Sequence, residues 1–216
     1  MAYFLVYLLV LILVPTISAD PDALQDFCVA DTNSSTIFMN GLPCINPSKA
    51  SVKHFTTSAL SKPGDTSTNV FNASVIIATA QILPGINTLG ITIARVDLAV
   101  KGEVPPHFHA RATEIIFVLE GNLIVGFVDT TYKLFSTEIK TGDVFVFPKG
   151  LVHFVYNMGN TSAVMIQAFN GQDFGTTLIP IAVFHSSPGI PDQVLSKAFQ
   201  ISAAEVDTIR KNLGGK

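Results

Sequence analysis

Residues 105–114 read PPHFHARATE, with two histidines one residue apart and a glutamate shortly after them. Side chains two positions apart on a β-strand project from the same face, so His107 and His109 can point at one spot. Two neighbouring imidazoles are the beginning of a metal site. Glu114 opens the next apolar run after the four-residue connection ARAT and can return a carboxylate to the same spot.

A third histidine, His153, lies far along the chain in FPKGLVHFVYN, residues 147–157. If the strands close into a barrel, it supplies another imidazole to the same place. Each piece alone has a simpler interpretation, because an isolated His-x-His is more often two half-exposed strand residues and a lone histidine is more often a hydrogen-bonded core residue. The combination of the pieces favours a metal site.

The surrounding sequence predicts an all-β domain. From about Asn69 to Phe184, short β-branched and aromatic runs alternate with Gly, Pro, Asn and Asp, which is typical of a β-sandwich or barrel. Two runs, LIVGFV and VFVF, are apolar on both faces and are expected in a core or against another subunit. After Pro191 the spacing becomes helical, and Ser202 with Glu205 forms a capping-box pattern at a helix start.

Composition narrows the class of protein further. The chain has 216 residues, 48% hydrophobic and 13% charged, which suits one well-filled domain with short attachments. The net charge is −3 and no run of Lys or Arg occurs, so nucleic acid is not an expected partner.

The N-terminal residues 1–19, MAYFLVYLLVLILVPTISA, carry no charge and end in small residues, which predicts a secretory signal peptide. The alternative is a membrane anchor, but the apolar run stops short of the roughly 20 residues that a spanning helix needs. No later stretch is long and apolar enough to span. The remaining chain is therefore expected to be secreted.

Two cysteines, Cys28 and Cys44, follow the predicted signal peptide. In an oxidising compartment such a pair is expected to form one disulfide, with two free thiols as the alternative. Glycosylation sequons occur at Asn33, Asn72 and Asn160.

The chain resembles the germin-like proteins of plants, within the cupin superfamily. Their first motif is Gly, five residues, His-x-His, three or four residues, Glu, six residues and Gly; here Lys101 stands at the first Gly, and the rest is matched through Gly121. The second motif, Gly, five residues, Pro-x-Gly, two residues, His, three residues and Asn, is matched throughout. Its fixed positions are Gly142, Pro148, Gly150, His153 and Asn157.

The resemblance implies a cupin jelly-roll β-barrel that binds manganese through His107, His109, Glu114 and His153. It also implies a hexamer built as a trimer of dimers, with C-terminal helices that clasp neighbours, in the apoplast or cell wall. Asn157 is expected either in the pocket beside His153 or as a turn residue. The predicted organisation is a signal peptide at 1–19, a disulfide-pinned arm at 20–63, the barrel at 64–188 and C-terminal α-helices at 189–216.

The ligand set itself favours manganese or iron. Three imidazoles and a carboxylate, without thiolate, leave open positions on an ion that prefers six ligands, which suits Mn(II) or Fe(II). Zinc usually takes four ligands. Manganese is the expected cofactor, and the residues alone leave iron open.

Two activities are associated with this family, oxalate oxidase and manganese superoxide dismutase. In germins that oxidise oxalate, asparagines thought to hold the substrate precede the RVD and PPH segments; here Ala94 and Val104 occupy these pocket positions. Hydrocarbon side chains offer no hydrogen bond to a buried carboxylate, so little or no oxalate oxidase activity is expected. Superoxide dismutase activity, with a role in defence or stress, is the candidate function, and the alternative is a non-catalytic extracellular structural or ligand-binding cupin.

Overall fold

A computed structural model of the chain describes residues 25–36 and 41–214, so the predicted signal peptide lies outside the described residues. Within these ranges, ten strands pair antiparallel in two five-stranded sheets. The strands are β1 (Ala73–Ile77), β2 (Thr92–Leu98), β3 (Glu103–His109), β4 (Glu114–Glu120), β5 (Asn122–Val128), β6 (Leu134–Lys140), β7 (Val144–Phe147), β8 (Val152–Asn157), β9 (Ala163–Phe169) and β10 (Thr176–Leu178).

The two sheets enclose a large apolar core. The first sheet has the order β1-β2-β9-β4-β7 and the second the order β10-β3-β8-β5-β6, so neighbouring strands are often distant in sequence. This crossing connectivity is that of a jelly roll. The all-β prediction is confirmed. The core between the sheets includes Val96, Leu98, Ile116, Val118, Leu123, Val125, Phe147, Val155 and Met165.

Strand β4 shows how the sequence orients the first sheet. Its inward positions, Glu114, Ile116 and Val118, are buried, whereas Ile115 and Phe117 between them are exposed on the outer face. Because side chains alternate along a strand, the buried glutamate must face the interior together with its apolar neighbours. The same alternation therefore gives the molecule an internal carboxylate and an apolar outer surface.

The double proline before the histidines sets the register of β3. Pairing between β3 and β8 is regular at Val104, shifts across the two prolines and resumes with His107 directly opposite His153. Proline has no N–H to donate to the ladder, so an interruption of the pairing is expected at this point. Residues directly opposite each other share a face, and the two imidazoles are therefore neighbours.

A disulfide closes the N-terminal arm on itself, and polar contacts fix its junction with the barrel. Cys28 and Cys44 form a disulfide, as predicted. Closing a loop of this size contributes about 3 kcal/mol in the chain-entropy model. On β2, Asp97 forms an ion pair with Arg95 at 2.7 Å and also accepts a hydrogen bond from the backbone N–H of Gly64, which fixes the junction of the arm with the barrel. Short 3-10 helices occur in the arm at Pro47–Lys49, Val52–Phe55 and Ala59–Ser61, before β1 at Thr66–Thr68, and between β1 and β2 at Pro84–Ile86.

Three α-helices follow the strands: α1 (Ile179–Phe184), α2 (Asp192–Phe199) and α3 (Ala203–Asn212). The capping box at the start of α3 is confirmed, with Ser202 and Glu205 exchanging hydrogen bonds. Helix α1 lies inside the range predicted as barrel. It was not predicted as a helix because its sequence, IPIAVF, is apolar throughout and lacks the periodic spacing by which a helix is recognised. No helix in the described part of the chain is long and apolar enough to cross a membrane.

Candidate metal centre

Four titratable side chains meet between the two sheets. His107, His109, Glu114 and His153 each offer one ligand atom, and these atoms lie within 4.8 Å of one another. All four residues are almost completely buried, with exposures of 1–3%. Burying this many ionisable groups together is costly unless they are paired or coordinate an ion, so the cluster has the character of a metal site.

The two sheets contribute different ligand types. His107 and His109 lie on β3 and His153 on the adjacent β8, all in the second sheet. Glu114 is the first residue of β4 in the first sheet, directly after the connection that crosses from β3. Gly150, which is in the left-handed region at φ 77°, donates its N–H to the carbonyl of His109 and holds the turn before β8 against β3.

Hydrogen bonds at the far side of each ring orient the histidines. Nδ1 of His107 contacts the carbonyl oxygen of Pro105 at 2.8 Å, and Nδ1 of His153 contacts that of Leu151 at 2.8 Å. A carbonyl only accepts, so both Nδ1 atoms carry the proton, and in the neutral ring the Nε2 lone pair is free for a metal. His109 has a different partner, the hydroxyl of Thr176, at 3.2 Å from its Nδ1.

The two oxygens of Glu114 have separate partners. Oε2 lies 2.8 Å from Nε2 of His109 and 3.2 Å from Nε2 of His153. Oε1 accepts a hydrogen bond of 2.7 Å from Nε2 of Gln167 on β9. Gln167 was not among the residues that the sequence interpretation assigned to the site. The available signal was a single polar residue in the otherwise apolar run AVMIQAF, residues 163–169.

The environment holds His107 and Glu114 in the protonation states that bind metal. Burial, reinforced by the nearby His153, lowers the pKa of His107 from 6.5 to about 3, so its ring is neutral at neutral pH. For Glu114, burial alone would raise the pKa, but the contacts of its carboxylate with the His109 and His153 imidazoles outweigh it and lower the pKa to about 2. A neutral imidazole and an ionised carboxylate are the forms that coordinate a cation.

Aromatic rings enclose the cluster. Phe147 stacks on His153 with ring centroids 4.4 Å apart, and His109 meets the edges of Phe169 and Phe174 at 5.0 and 4.9 Å. These rings restrict the orientation of the imidazoles and exclude bulk water from their flanks. Low local polarity strengthens electrostatic interactions at the centre.

The three predicted pocket residues lie in different places. Ala94 is fully buried and belongs to an apolar group with Phe169 and Phe174, the rings beside His109. Val104 is buried in the main core. The amide of Asn157 serves the turn after β8: its nitrogen donates to the carbonyls of Ala99 and Thr161, at 2.9 and 2.8 Å, and its oxygen accepts from the N–H of Gly159. Of the two expected roles for Asn157, these contacts are those of a turn residue.

Acid is expected to destabilise the metal-free protein through this cluster. Because the pKa of His107 falls from 6.5 to about 3 on folding, the unfolded chain binds protons more readily over that range, and stability present above pH 6.5 is lost as the pH falls toward 3. Glu114, with a lowered pKa, acts in the same direction at lower pH. Between pH 7 and pH 4, the contribution of His107 is about 3 kcal/mol.

Urea unfolding of the metal-free protein at both pH values measures this effect. The free energy of unfolding of a His107→Ala variant should fall by about 3 kcal/mol less between pH 7 and pH 4 than that of the wild type. An identical pH dependence in the two proteins would contradict the assignment.

Two wrapped sheets around a buried cluster of three histidines and one glutamate define a cupin, and the Cupin family model matches residues 58–207. The chain is 45% identical over 207 residues to germin-like protein subfamily 1 member 1 of Arabidopsis thaliana, covering 94% of this chain and 95% of that one. The chain belongs to the germin-like proteins of the cupin family, as the sequence motifs predict.

Two further relatives show the range of this group. The rhicadhesin receptor of Pisum sativum is 48% identical over 195 residues, which is 90% of this chain and 89% of that one. A solved structure of an oxalate oxidase in complex with the substrate analogue glycolate is similar, with a TM-score of 0.85 and 42% identity, and the match covers 91% of this chain and 100% of that one. The relatives therefore have different named roles on a shared fold.

Proposed function

We propose that this protein is a secreted, manganese-binding germin-like protein with superoxide dismutase activity and with little or no oxalate oxidase activity, acting in the plant apoplast or cell wall in defence or stress. The observation that carries the proposal is the convergence of three imidazole nitrogens and one carboxylate oxygen within 4.8 Å at a buried point. His107, His109, Glu114 and His153 would hold the ion.

Manganese is favoured over zinc by the donor set. Four protein ligands of mixed nitrogen and oxygen type leave room on an ion that prefers six positions, whereas zinc is usually satisfied by four. A bound manganese ion would supply one-electron redox chemistry between its +2 and +3 states. Glu114 supports the higher state because an ionised carboxylate is the negative charge among the four proposed ligands.

The enclosure of the site suits a small substrate such as superoxide. Phe169 and Phe174 stack on each other 3.8 Å apart beside His109, and Phe147 covers His153. A diatomic anion needs only access to an open coordination position on the metal. The net positive charge of a divalent ion with one carboxylate ligand attracts such an anion. The neutral His107 is available as a ligand without loss of a proton.

The pocket positions argue against oxalate. Ala94 and Val104 are hydrocarbon and buried, so neither can donate a hydrogen bond to a second carboxylate. An unpaired carboxylate in such surroundings carries a large desolvation cost. The likeness to a solved oxalate oxidase is one of fold, and the proposal departs from that protein's named activity because of these two side chains.

Several features support an extracellular homo-oligomer with attached glycans. A disulfide in the arm fits an oxidising compartment. The sequon residues Asn33, Asn72 and Asn160 are all exposed. Apolar side chains on the outer face of the first sheet are also exposed in the single chain, which favours self-association, and we propose the hexamer expected for this family.

A non-catalytic role is the second candidate function, and the placement of the proposed ligands in both sheets supports considering it. His107 and His153 belong to the second sheet and Glu114 to the first, so a metal would tie the two sheets together. In that case the ion would stabilise an extracellular structural or ligand-binding protein without turnover. This role is distinguished from the first by activity measurements on metal-loaded protein.

Assays of dismutation and of peroxide release on the same manganese-loaded sample test the proposal. We expect dismutation above that of free Mn(II) at equal concentration, its loss in a His107→Ala variant, and no peroxide from oxalate. Metal-dependent stabilisation without dismutation would favour the structural role. Peroxide release from oxalate, with a purified oxalate oxidase as positive control, would overturn the assignment of Ala94 and Val104.

A further inference from the structure

Gln167 is a buried polar residue that directly contacts a proposed metal ligand. It lies on β9 with 4% exposure, and its amide nitrogen is 2.7 Å from Oε1 of Glu114. An ionised carboxylate only accepts hydrogen bonds, so the amide must present its N–H₂ group and not its oxygen. The chemistry of the contact therefore fixes the orientation of the glutamine.

Because of this hydrogen bond, the two carboxylate oxygens of Glu114 have different partners. Oε1 is engaged by Gln167, while Oε2 alone faces Nε2 of His109 and Nε2 of His153. We infer that Gln167 is a positioning residue that restricts Glu114 to one-oxygen coordination of the metal. The inference rests on the proposed manganese site and adds a determinant of how many positions on the ion stay open.

The neighbours of Gln167 leave its amide free for this role. In the pairing of β2 with β9 its direct partner is Ala94, and in the pairing of β4 with β9 it is Ile116. Both are apolar, and both are fully buried. Neither side chain can compete with Glu114 for the N–H₂ group of Gln167, so the donor stays directed at the carboxylate.

One-oxygen coordination matters for access to the metal. Three imidazoles and one carboxylate oxygen fill four of the six positions preferred by Mn(II), which leaves about two for water or substrate. A carboxylate bound through both oxygens would take one of these. Gln167 would thereby preserve an open position, which a dismutase requires and a purely structural ion does not.

Replacement of Gln167 by methionine tests the inference, because methionine keeps the approximate size and removes the donor. In the manganese-loaded Gln167→Met protein we expect the number of exchangeable waters on Mn(II), measured by water-proton relaxation, to fall from about two to about one. The Mn(II) electron paramagnetic resonance spectrum should change with it. Met165→Leu, a buried change two residues away on the same strand, is the matched control and should leave both readouts as in wild type.

Identical relaxation and spectra in wild type and Gln167→Met would overturn the inference while leaving the manganese site intact. Failure of the wild-type protein to bind manganese would instead overturn the proposed function. If the variant does not fold, a crystal structure of manganese-loaded wild type decides the matter. A structure in which Oε1 of Glu114 contacts Gln167 and only Oε2 binds the metal would support the inference. A structure in which both oxygens bind the metal would contradict it.

Discussion

Replacement of His107 by alanine should weaken manganese binding by more than about 100-fold. Changes to residues that only orient a metal ligand typically cost 10–100-fold in affinity, so loss of a ligand itself should cost more. At a free manganese concentration 100 times its dissociation constant, the wild type should gain about 2.7 kcal/mol of stability, and the variant almost none. Competition with a chelator measures the affinity, and urea unfolding with and without manganese measures the stabilisation.

His185→Ala is the matched control for this experiment. His185 is exposed and lies at the end of α1, outside the cluster, so its replacement makes the same change in side chain without removing a proposed ligand. It should retain wild-type affinity. Equal manganese binding by His107→Ala and wild type would contradict the assignment of the ligands.

Introducing a charge at Phe117 should break the proposed oligomer. On the outer face of the first sheet, Ile115 pairs with Val146 of β7 and Phe117 with Val144 of the same strand. All four side chains are 43–56% exposed in the single chain. A contiguous apolar patch of this kind marks an interaction surface, and a buried carboxylate in its centre would cost several kcal/mol. Light scattering should therefore show a lower mass for Phe117→Asp than for the wild-type assembly, which we propose is a hexamer.

Tyr132→Asp provides the comparison. Tyr132 is 91% exposed at the turn between β5 and β6, away from the first sheet. This variant should assemble as wild type does. A Phe117→Asp protein of unchanged mass would show that the outer face of the first sheet is not an interface between copies of this chain.

The ligand cluster could be anticipated from sequence because its parts are locally encoded. His107 and His109 share a face by strand alternation alone, and Glu114 follows after a short connection. The approach of His153 required the spacing of the second motif, since only the pairing of β3 with β8 brings it opposite His107. The disulfide and the start of α3 were likewise encoded by short-range patterns.

What escaped prediction depends on long-range register or on tertiary context. Gln167 contacts Glu114 because β9 lies beside β4 in the first sheet. This order of the strands cannot be predicted from the sequence of either strand alone. The role of Asn157 could not be chosen in advance, because its carbonyl partners include Ala99 on a distant loop. Helix α1 was missed because an apolar run of six residues is compatible with either a strand or a helix.

Elemental analysis of the protein purified from its native compartment tests the central claim most directly. With manganese held by His107, His109, Glu114 and His153, the native protein should contain about one manganese per chain, consistent with its single four-ligand cluster among the described residues. Native protein that carries no manganese would contradict this claim. A His107→Ala variant that retains the wild-type manganese content after the same purification would also contradict it.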